Sequence, residues 1–163
     1  MEKPKGKISL IEILRSGKFG EICLGDSKEK VIEFLGQPTG YGNPEYNDIL
    51  NYNSFEFSFN PSGTLECILN KRFISDKMDL IKSELEINRL FELSVWFDNT
   101  KNNLKLSSIL DFLTKTDINF SVINHNEMYL EIKMTDSKAY MCFDFFAENT
   151  ILTQIGLYDN KYR

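Results

Sequence analysis

The chain has 163 residues, of which 42% are hydrophobic and 13% aromatic, and its formal net charge is −5. This apolar content is enough for a hydrophobic core and excludes an intrinsically disordered chain. The acidic balance argues against nucleic acid as the partner, because binding nucleic acid requires a basic surface.

The negative charge is concentrated in two segments. Residues 31–70 and residues 106–159 each carry a net charge of −5, while the remaining segments sum to +5. Two separate acidic segments predict two acidic surfaces, which would suit a protein partner with a basic surface.

No stretch is long and apolar enough for a transmembrane helix, and the apolar run at residues 8–14 contains Glu12 with no signal-peptide cleavage site after it. We therefore expect a cytoplasmic protein. Cys23, Cys67 and Cys142 lie far apart in the sequence, which fits neither a metal clip nor a secreted disulfide set. Buried thiols are the simpler interpretation.

The first clear element is a helix within residues 25–38, "GDSKEKVIEFLGQP". Asp26 is expected to cap its N-terminus with Glu29 at the third helical position, and Gly36 and Pro38 are expected to end it. The glycines at 17, 20 and 25 match neither the Walker nor the dinucleotide-binding spacing, so the sequence does not predict a phosphate site.

A polar loop at residues 39–48 follows, and alternating phenylalanines then predict a β-hairpin that continues through residues 64–70. Residues 76–87 have helical spacing, and the alternation from Phe91 to Phe97 predicts a strand. Two further strands are expected at residues 119–124 and 128–134.

The second half resembles the first in the order of its elements. "VIEFL" at residues 31–35 recurs as "ILDFL" at 109–113, and each is followed by strand patterns. We therefore predict an α+β fold of two tandem helix-plus-antiparallel-sheet repeats, with the helices packed on one face of the sheets. The first repeat would span residues 1–75 and the second residues 106–163, joined by a helix and strand in residues 76–105.

One motif resembles a known family. The string G-x-S-x-x-x-V-x-x-x-L-G-x-P is formed by Gly25, Ser27, Val31, Leu35, Gly36 and Pro38. It is similar to the helix of small bacterial domains of the SmpA/OmlA and beta-lactamase-inhibitor-protein type, including immunity-like cytoplasmic relatives. This resemblance implies tandem helix-plus-sheet repeats that bind a protein rather than catalyse a reaction.

The sequence offers little for catalysis. The single histidine, His125, lies in the polar stretch "NHN", and no metal-binding histidine pair is present. Acid pairs such as Asp76 with Asp79 are more typical of a solvated helix face than of an acid/base pair. We therefore predict a non-enzymatic protein with no cofactor and no metal.

Binding has a better basis in the strand patterns. On a sheet packed on one side, the non-core residues of each strand share the other face, which we expect to be wet and acidic, with exposed carboxylates at Glu131 and Asp144 and an anchor at Tyr140. The predicted partner-binding residues are Glu56, Glu66, Tyr129, Glu131, Tyr140, Asp144 and Tyr158. An ordinary solvated sheet face is the alternative interpretation, and the 39–48 loop with Tyr41 and Tyr46 is the alternative site.

These features favour an inhibitor that binds a protein through its acidic, tyrosine-bearing face. The most specific hypothesis is an immunity protein that covers the basic active site of a nucleic-acid-targeting bacterial toxin. The alternative is a non-enzymatic adaptor or assembly module.

Overall fold

The computed structural model of the chain describes residues 6–42, 48–70, 85–97, 104–146 and 149–159. Its helices are α1 (Leu10–Ser16), α2 (Lys28–Leu35) and α3 (Leu106–Lys115). Its strands are β1 (Gly6–Ser9), β2 (Lys18–Phe19), β3 (Ile22–Cys23), β4 (Gly40–Tyr41), β5 (Asp48–Tyr52), β6 (Phe55–Phe59), β7 (Leu65–Asn70), β8 (Phe91–Ser94), β9 (Phe120–His125), β10 (Tyr129–Met134), β11 (Ala139–Phe146) and β12 (Asn149–Tyr158).

Eight of these strands form one antiparallel sheet with the order β4-β5-β6-β7-β12-β11-β10-β9. The strands of the first half and those of the second half meet at β7 and β12, whose register runs from Asn70 opposite Ile155 to Cys67 opposite Tyr158. The two ends of the sheet are β4 and β9. The described residues also form two small sheets, a parallel pair of β1 with β8 and an antiparallel pair of β2 with β3.

The predicted fold of two tandem helix-plus-sheet repeats is wrong. Strands from both halves belong to one continuous sheet, and the described helices are few and short. The error has a physical origin, because an amphipathic helix followed by alternating strands is a common pattern that does not specify which strand edges will pair. The predicted boundary at residue 75 lies outside the described residues.

One face of the large sheet packs into the hydrophobic core. Phe55, Phe57 and Phe59 of β6 are all buried on this face, as their alternation with polar residues predicted. Phe19 packs edge-on against Phe55 and Phe57, with ring centroids 5.5 and 5.3 Å apart. From the helices, Leu14, Leu35 and Leu113 contribute to the same core.

The predicted strand signals correspond well to the structure. The alternation that begins at Phe91 includes β8, and the strands expected at residues 119–124 and 128–134 are β9 and β10. The helix predicted at residues 76–87 lies almost entirely outside the described residues.

Helix α2 forms where predicted but begins differently. Ser27, not Asp26, is its N-cap, and the Ser27 hydroxyl accepts a hydrogen bond from the Lys30 amide at 3.3 Å. The Asp26 carboxylate instead accepts from the Cys23 amide at 2.7 Å and from Lys30 Nζ at 2.9 Å. Glu29 is therefore at the second helical position, and the predicted capping box is absent. At the other end, Gly36 has a φ of +84°, a conformation that favours glycine.

Within the described ranges, none of the helices is long and apolar enough to cross a membrane.

Replacing core leucines should strongly destabilise the fold. Leu35 and Leu113 are fully buried, so truncating either to alanine should lower the free energy of unfolding by about 2–5 kcal/mol. Leu90→Ala is the matched control, because Leu90 is 49% exposed and its loss should cost only about 0.5 kcal/mol. Urea denaturation of the three variants measures these differences. A small loss at both core positions would contradict the described packing.

The turn at Asp26 should make stability depend on pH. Burial raises the pKa of Asp26, but the hydrogen bond from the Cys23 amide and the pairing with Lys30 together hold it below its ordinary 3.8. The ionised Asp26 carboxylate therefore contributes its full stabilisation at pH values above 3.8. This contribution is lost as the pH falls through the lower pKa that Asp26 has in the folded state.

Asp26→Asn should accordingly destabilise the protein at neutral pH, and its difference from the original chain should shrink in acid. Urea denaturation of both proteins, from neutral pH down to below pH 3.8, measures the difference in their free energies of unfolding. Lys30→Gln removes only one of the two interactions and should show a weaker form of the same dependence. A difference that stayed constant with pH would exclude this role for the carboxylate.

Candidate functional site

The sheet register brings most of the predicted site residues onto one face, opposite the core. Tyr129 pairs with Asp144, Glu131 with Cys142, and Lys133 with Tyr140, so these side chains share a face across β10 and β11. Tyr140 is in turn opposite Gly156, two residues from Tyr158 on β12. We call this side of the sheet the outer face.

The centre of the outer face is buried, contrary to the sequence prediction. Glu131 is 1% exposed and Tyr140 is 4% exposed, so the expectation of an exposed carboxylate and an exposed anchor at these positions is wrong. The Tyr158 hydroxyl donates to Glu131 Oε1 at 2.9 Å, and Gln154 Nε2 donates to the Tyr140 hydroxyl at 2.9 Å. A buried carboxylate requires such partners, because an unpaired charge would be very costly.

Aromatic packing completes this buried group. The rings of Tyr140 and Tyr158 lie 4.4 Å apart in an edge-to-face arrangement, and Lys133 Nζ lies 5.5 Å from the Tyr158 ring centroid. We call Glu131, Lys133, Tyr140, Gln154 and Tyr158 the tyrosine cluster. Its contacts connect β10, β11 and β12, which makes it a structural element of the sheet.

The environment of the cluster shifts two pKa values. Burial raises the pKa of Tyr140, with Cys67, Glu131 and Tyr158 adding to the rise and the hydrogen bond from Gln154 opposing it. Burial lowers the pKa of Lys133, and the nearby carboxylates of Asp159 and Glu131 partly offset that effect. The tyrosine therefore remains a neutral hydroxyl at physiological pH, suited to hydrogen bonding rather than to acting as a base.

A glycine makes the cluster possible. Gly156 lies beneath the Tyr140 ring, and a Cβ atom at this position would be 2.6 Å from Tyr140 Cε1 and 2.7 Å from the Ile68 carbonyl oxygen. Both distances are shorter than atomic contact allows. The ring therefore packs directly against the backbone of β12.

The first-half residues of the predicted site are not part of the cluster. Glu56 shares the outer face, but β7 and β12 separate its strand from Tyr140. Glu66 lies at a bulge between the pairs Ser58–Cys67 and Phe59–Leu65, and its buried Oε2 atom has no hydrogen-bond partner among the described residues. In the alternative loop site, Tyr41 is 66% exposed, whereas Tyr46 falls within residues 43–47, outside the described ranges.

A group of exposed apolar side chains lies elsewhere, at the β9 end of the sheet. Val122 and Ile123 of β9 are 56% and 41% exposed, and Met128 in the turn to β10 is 76% exposed. Exposed Glu127 directly precedes Met128 in the same turn. Asp144 of β11 is opposite Tyr129 of β10. We call Glu127, Met128, Tyr129 and Asp144 the hairpin end.

Sequence reasoning predicted β9 and β10 and named Tyr129 and Asp144 as site residues, but it did not identify Glu127, Met128 or the exposed β9 residues as part of a surface. The available signal was a methionine in a polar turn, next to an apolar "SVI" strand without any lysine or proline. Whether such a strand lies at the edge or in the middle of a sheet depends on tertiary pairing.

The described side chains do not suggest a metal or cofactor site. Within the described ranges, no group of three or more His, Cys, Asp or Glu residues is placed to hold a metal ion. His125 is the last residue of β9, and its ring lies edge-on to Phe145 at 5.8 Å. Cys23, Cys67 and Cys142 are each only partly buried, which differs from the buried thiols expected from the sequence. The predicted absence of catalysis, metal and cofactor remains a prediction.

Comparison with known proteins informs the fold only. No protein-family model and no curated protein matches the sequence. The crystal structure of a DUF4309 family protein (YjgB) from Bacillus subtilis is similar, with a TM-score of 0.51 over 93% of each chain and 13% sequence identity. At this identity the likeness shows a shared fold alone and carries no information about function.

Substituting Gly156 should test the packing of the tyrosine cluster. Gly156→Ala should destabilise the protein by roughly 1–3 kcal/mol, because the added methyl group meets the Tyr140 ring and a backbone oxygen. Gly40→Ala is the matched control in another strand, since the nearest atoms to its Cβ would be 3.8 Å away. The control should be neutral or slightly stabilising. Equal thermal denaturation midpoints for the two variants would show that Tyr140 does not pack on Gly156.

Proposed function

We propose that this chain is a cytoplasmic, non-enzymatic inhibitor that binds a protein with a basic surface, as an immunity protein binds a bacterial toxin. The observation that carries the proposal is the hairpin end, where an exposed methionine and a partly exposed tyrosine lie between two carboxylates. Protein interfaces are built in this way, with large flexible or aromatic contacts surrounded by charge.

The charge state of the hairpin end supports a basic partner. Glu127 and Asp144 have no cationic partner in the described part of the chain, whereas Asp26, Asp48 and Asp111 are each paired with a lysine. Unpaired carboxylates at a surface accelerate association with a positively charged protein and cost little for folding. A toxin that acts on nucleic acid has such a surface, because its active site must attract phosphates.

The burial of the tyrosine cluster changes which predicted residues are proposed to contact the partner. Tyr129 and Asp144 retain this role at the accessible rim of the outer face. Glu131 and Tyr140 are assigned a supporting role, because they pack β10 against β11 and β12 and so hold the rim in place.

Charge reversal at the hairpin end should slow binding. The partner would first be captured with the tagged chain from its own bacterium at low salt, and its toxicity tested in a host with and without this chain. Glu127→Lys combined with Asp144→Lys should reduce the association rate at least about tenfold at low salt, with a smaller effect at high salt. Stopped-flow mixing measures both rates.

The control is Glu21→Lys combined with Glu33→Lys, which changes the net charge equally at exposed positions in the first half of the chain. It should slow association much less than the hairpin-end pair. An acidic partner, equal slowing by both pairs, or a toxic partner that this chain fails to neutralise would each count against the proposal.

A further inference from the structure

Strand β9 forms one edge of the eight-stranded sheet. It pairs with β10 on one side, and in the described part of the chain no strand pairs with its other side. The consecutive residues Ser121, Val122 and Ile123 are all exposed, so no described segment covers this part of the strand. Alternate backbone amides and carbonyls of β9 therefore face solvent, and such groups are able to pair with another strand.

Native proteins usually protect such edges, and β9 has little of that protection. Edges are commonly blocked by lysine, by proline or by charges within the strand, but "FSVINH" contains none of these. The opposite edge of the sheet is β4, which is only two residues long and offers little to pair with. Within the described residues of the large sheet, β9 is therefore the edge strand long enough to pair with another strand.

The irregularity and the charges at β9 determine what can pair with it. A register shift opposite Glu131 and Ile132 bulges β9 at Ile123, so two copies of this edge would both have to accommodate a bulge. Asp117 and Glu127 are both exposed and flank the strand at five residues from Val122. Asp117 lies in the turn before β9 and Glu127 in the turn after it, so antiparallel pairing of two copies would bring like charges together at both ends of the paired strands.

A strand from a different protein avoids both problems. It can follow one bulge without supplying another, and basic residues near its two ends would meet Asp117 and Glu127. Neither carboxylate has a cationic partner in the part of the chain that the structure describes. Backbone pairing would supply affinity, and the charges at the two ends would set the register and select the partner.

We infer that β9 is a docking edge for an extended strand of the partner protein, apolar at its centre and carrying Lys or Arg at both ends. The incoming strand becomes a ninth strand of the sheet and lies beside the hairpin end. This inference rests on the proposed function, since it specifies how the basic partner would be held.

The test uses the full chain and a capped peptide of alternating Val and Thr with lysines at both ends. Calorimetry should give a Kd below about 1 mM, and hydrogen exchange should show new protection of the β9 amides. The same peptide with glutamates in place of the lysines should bind at least about tenfold more weakly at low salt. A peptide N-methylated at alternate residues, on the edge that faces β9, should bind at least about tenfold more weakly, because its backbone can no longer donate hydrogen bonds to the carbonyl groups of β9.

Variants of the chain complete the test. Val122→Lys combined with Ile123→Lys should weaken binding of the lysine peptide at least about tenfold, because it adds repelling charges to the edge. Leu90→Lys is the control, at another exposed apolar side chain, and should leave binding unchanged. Hydrogen exchange away from β9 confirms that both variants are folded.

Each contrary result has a distinct meaning. Absence of binding up to about 1 mM, or equal binding of the N-methylated peptide, would overturn strand addition and leave the proposed inhibitor function standing. Dimerisation that the Val122→Lys and Ile123→Lys substitutions abolish would assign the edge to a second copy instead. A partner with an acidic surface, or a toxic partner whose toxicity this chain does not neutralise, would overturn the inhibitor function. Specific binding of the peptide would still locate a docking edge on β9.

Discussion

The pairing of β7 with β12 is the interaction on which the rest of this structure depends. It joins the strands of the two halves of the chain into one sheet, through the register from Asn70–Ile155 to Cys67–Tyr158. Because the backbone groups of β7 and β12 hydrogen-bond to each other, neither strand is an edge, and the edge strands of the sheet are β4 and β9. The outer face is continuous across this junction, because Tyr158 of β12 pairs with Cys67 of β7 while its hydroxyl donates to Glu131 of β10.

The outer face was expected from the sequence to be exposed to solvent, but polar side chains are buried at its centre. Glu131 is almost fully buried and accepts a hydrogen bond from Tyr158, while Gly156 leaves room for the Tyr140 ring against the backbone. Tyrosine suits this position because its ring excludes water while its hydroxyl remains able to bond a neighbour. This cluster stiffens β10 to β12, which is where the hairpin end is attached.

A stiff support matters for the two proposed binding features. Affinity is lost when an interface must be ordered on binding, so a carboxylate or an edge strand held in place binds with a smaller entropic cost. The hairpin end offers charge and apolar contact, and β9 offers backbone groups with Asp117 and Glu127 at its flanks. The same acidic side chains that attract a basic strand repel a second copy of this chain, so attraction and selectivity have one electrostatic origin.

Local patterns in the sequence determined much of the fold. Alternation marked β6 and β10, helical spacing marked α2 and α3, and the need for a positive φ marked Gly36, because each of these depends on interactions within a few residues. Alternation also placed Tyr129, Glu131 and Tyr140 on a common face, since the side-chain period of a strand is two.

Only the tertiary structure decided how these elements combine. The sequence could not show that β7 pairs with β12, because strand pairing depends on edges that are distant along the chain, and the expectation of two separate repeats failed for that reason. Nor could it show that Glu131 is buried while Met128 is exposed, since burial depends on what packs across a strand as well as on the strand itself. Local sequence therefore determined the faces of the strands, and long-range pairing decided which faces and edges remain open to a partner.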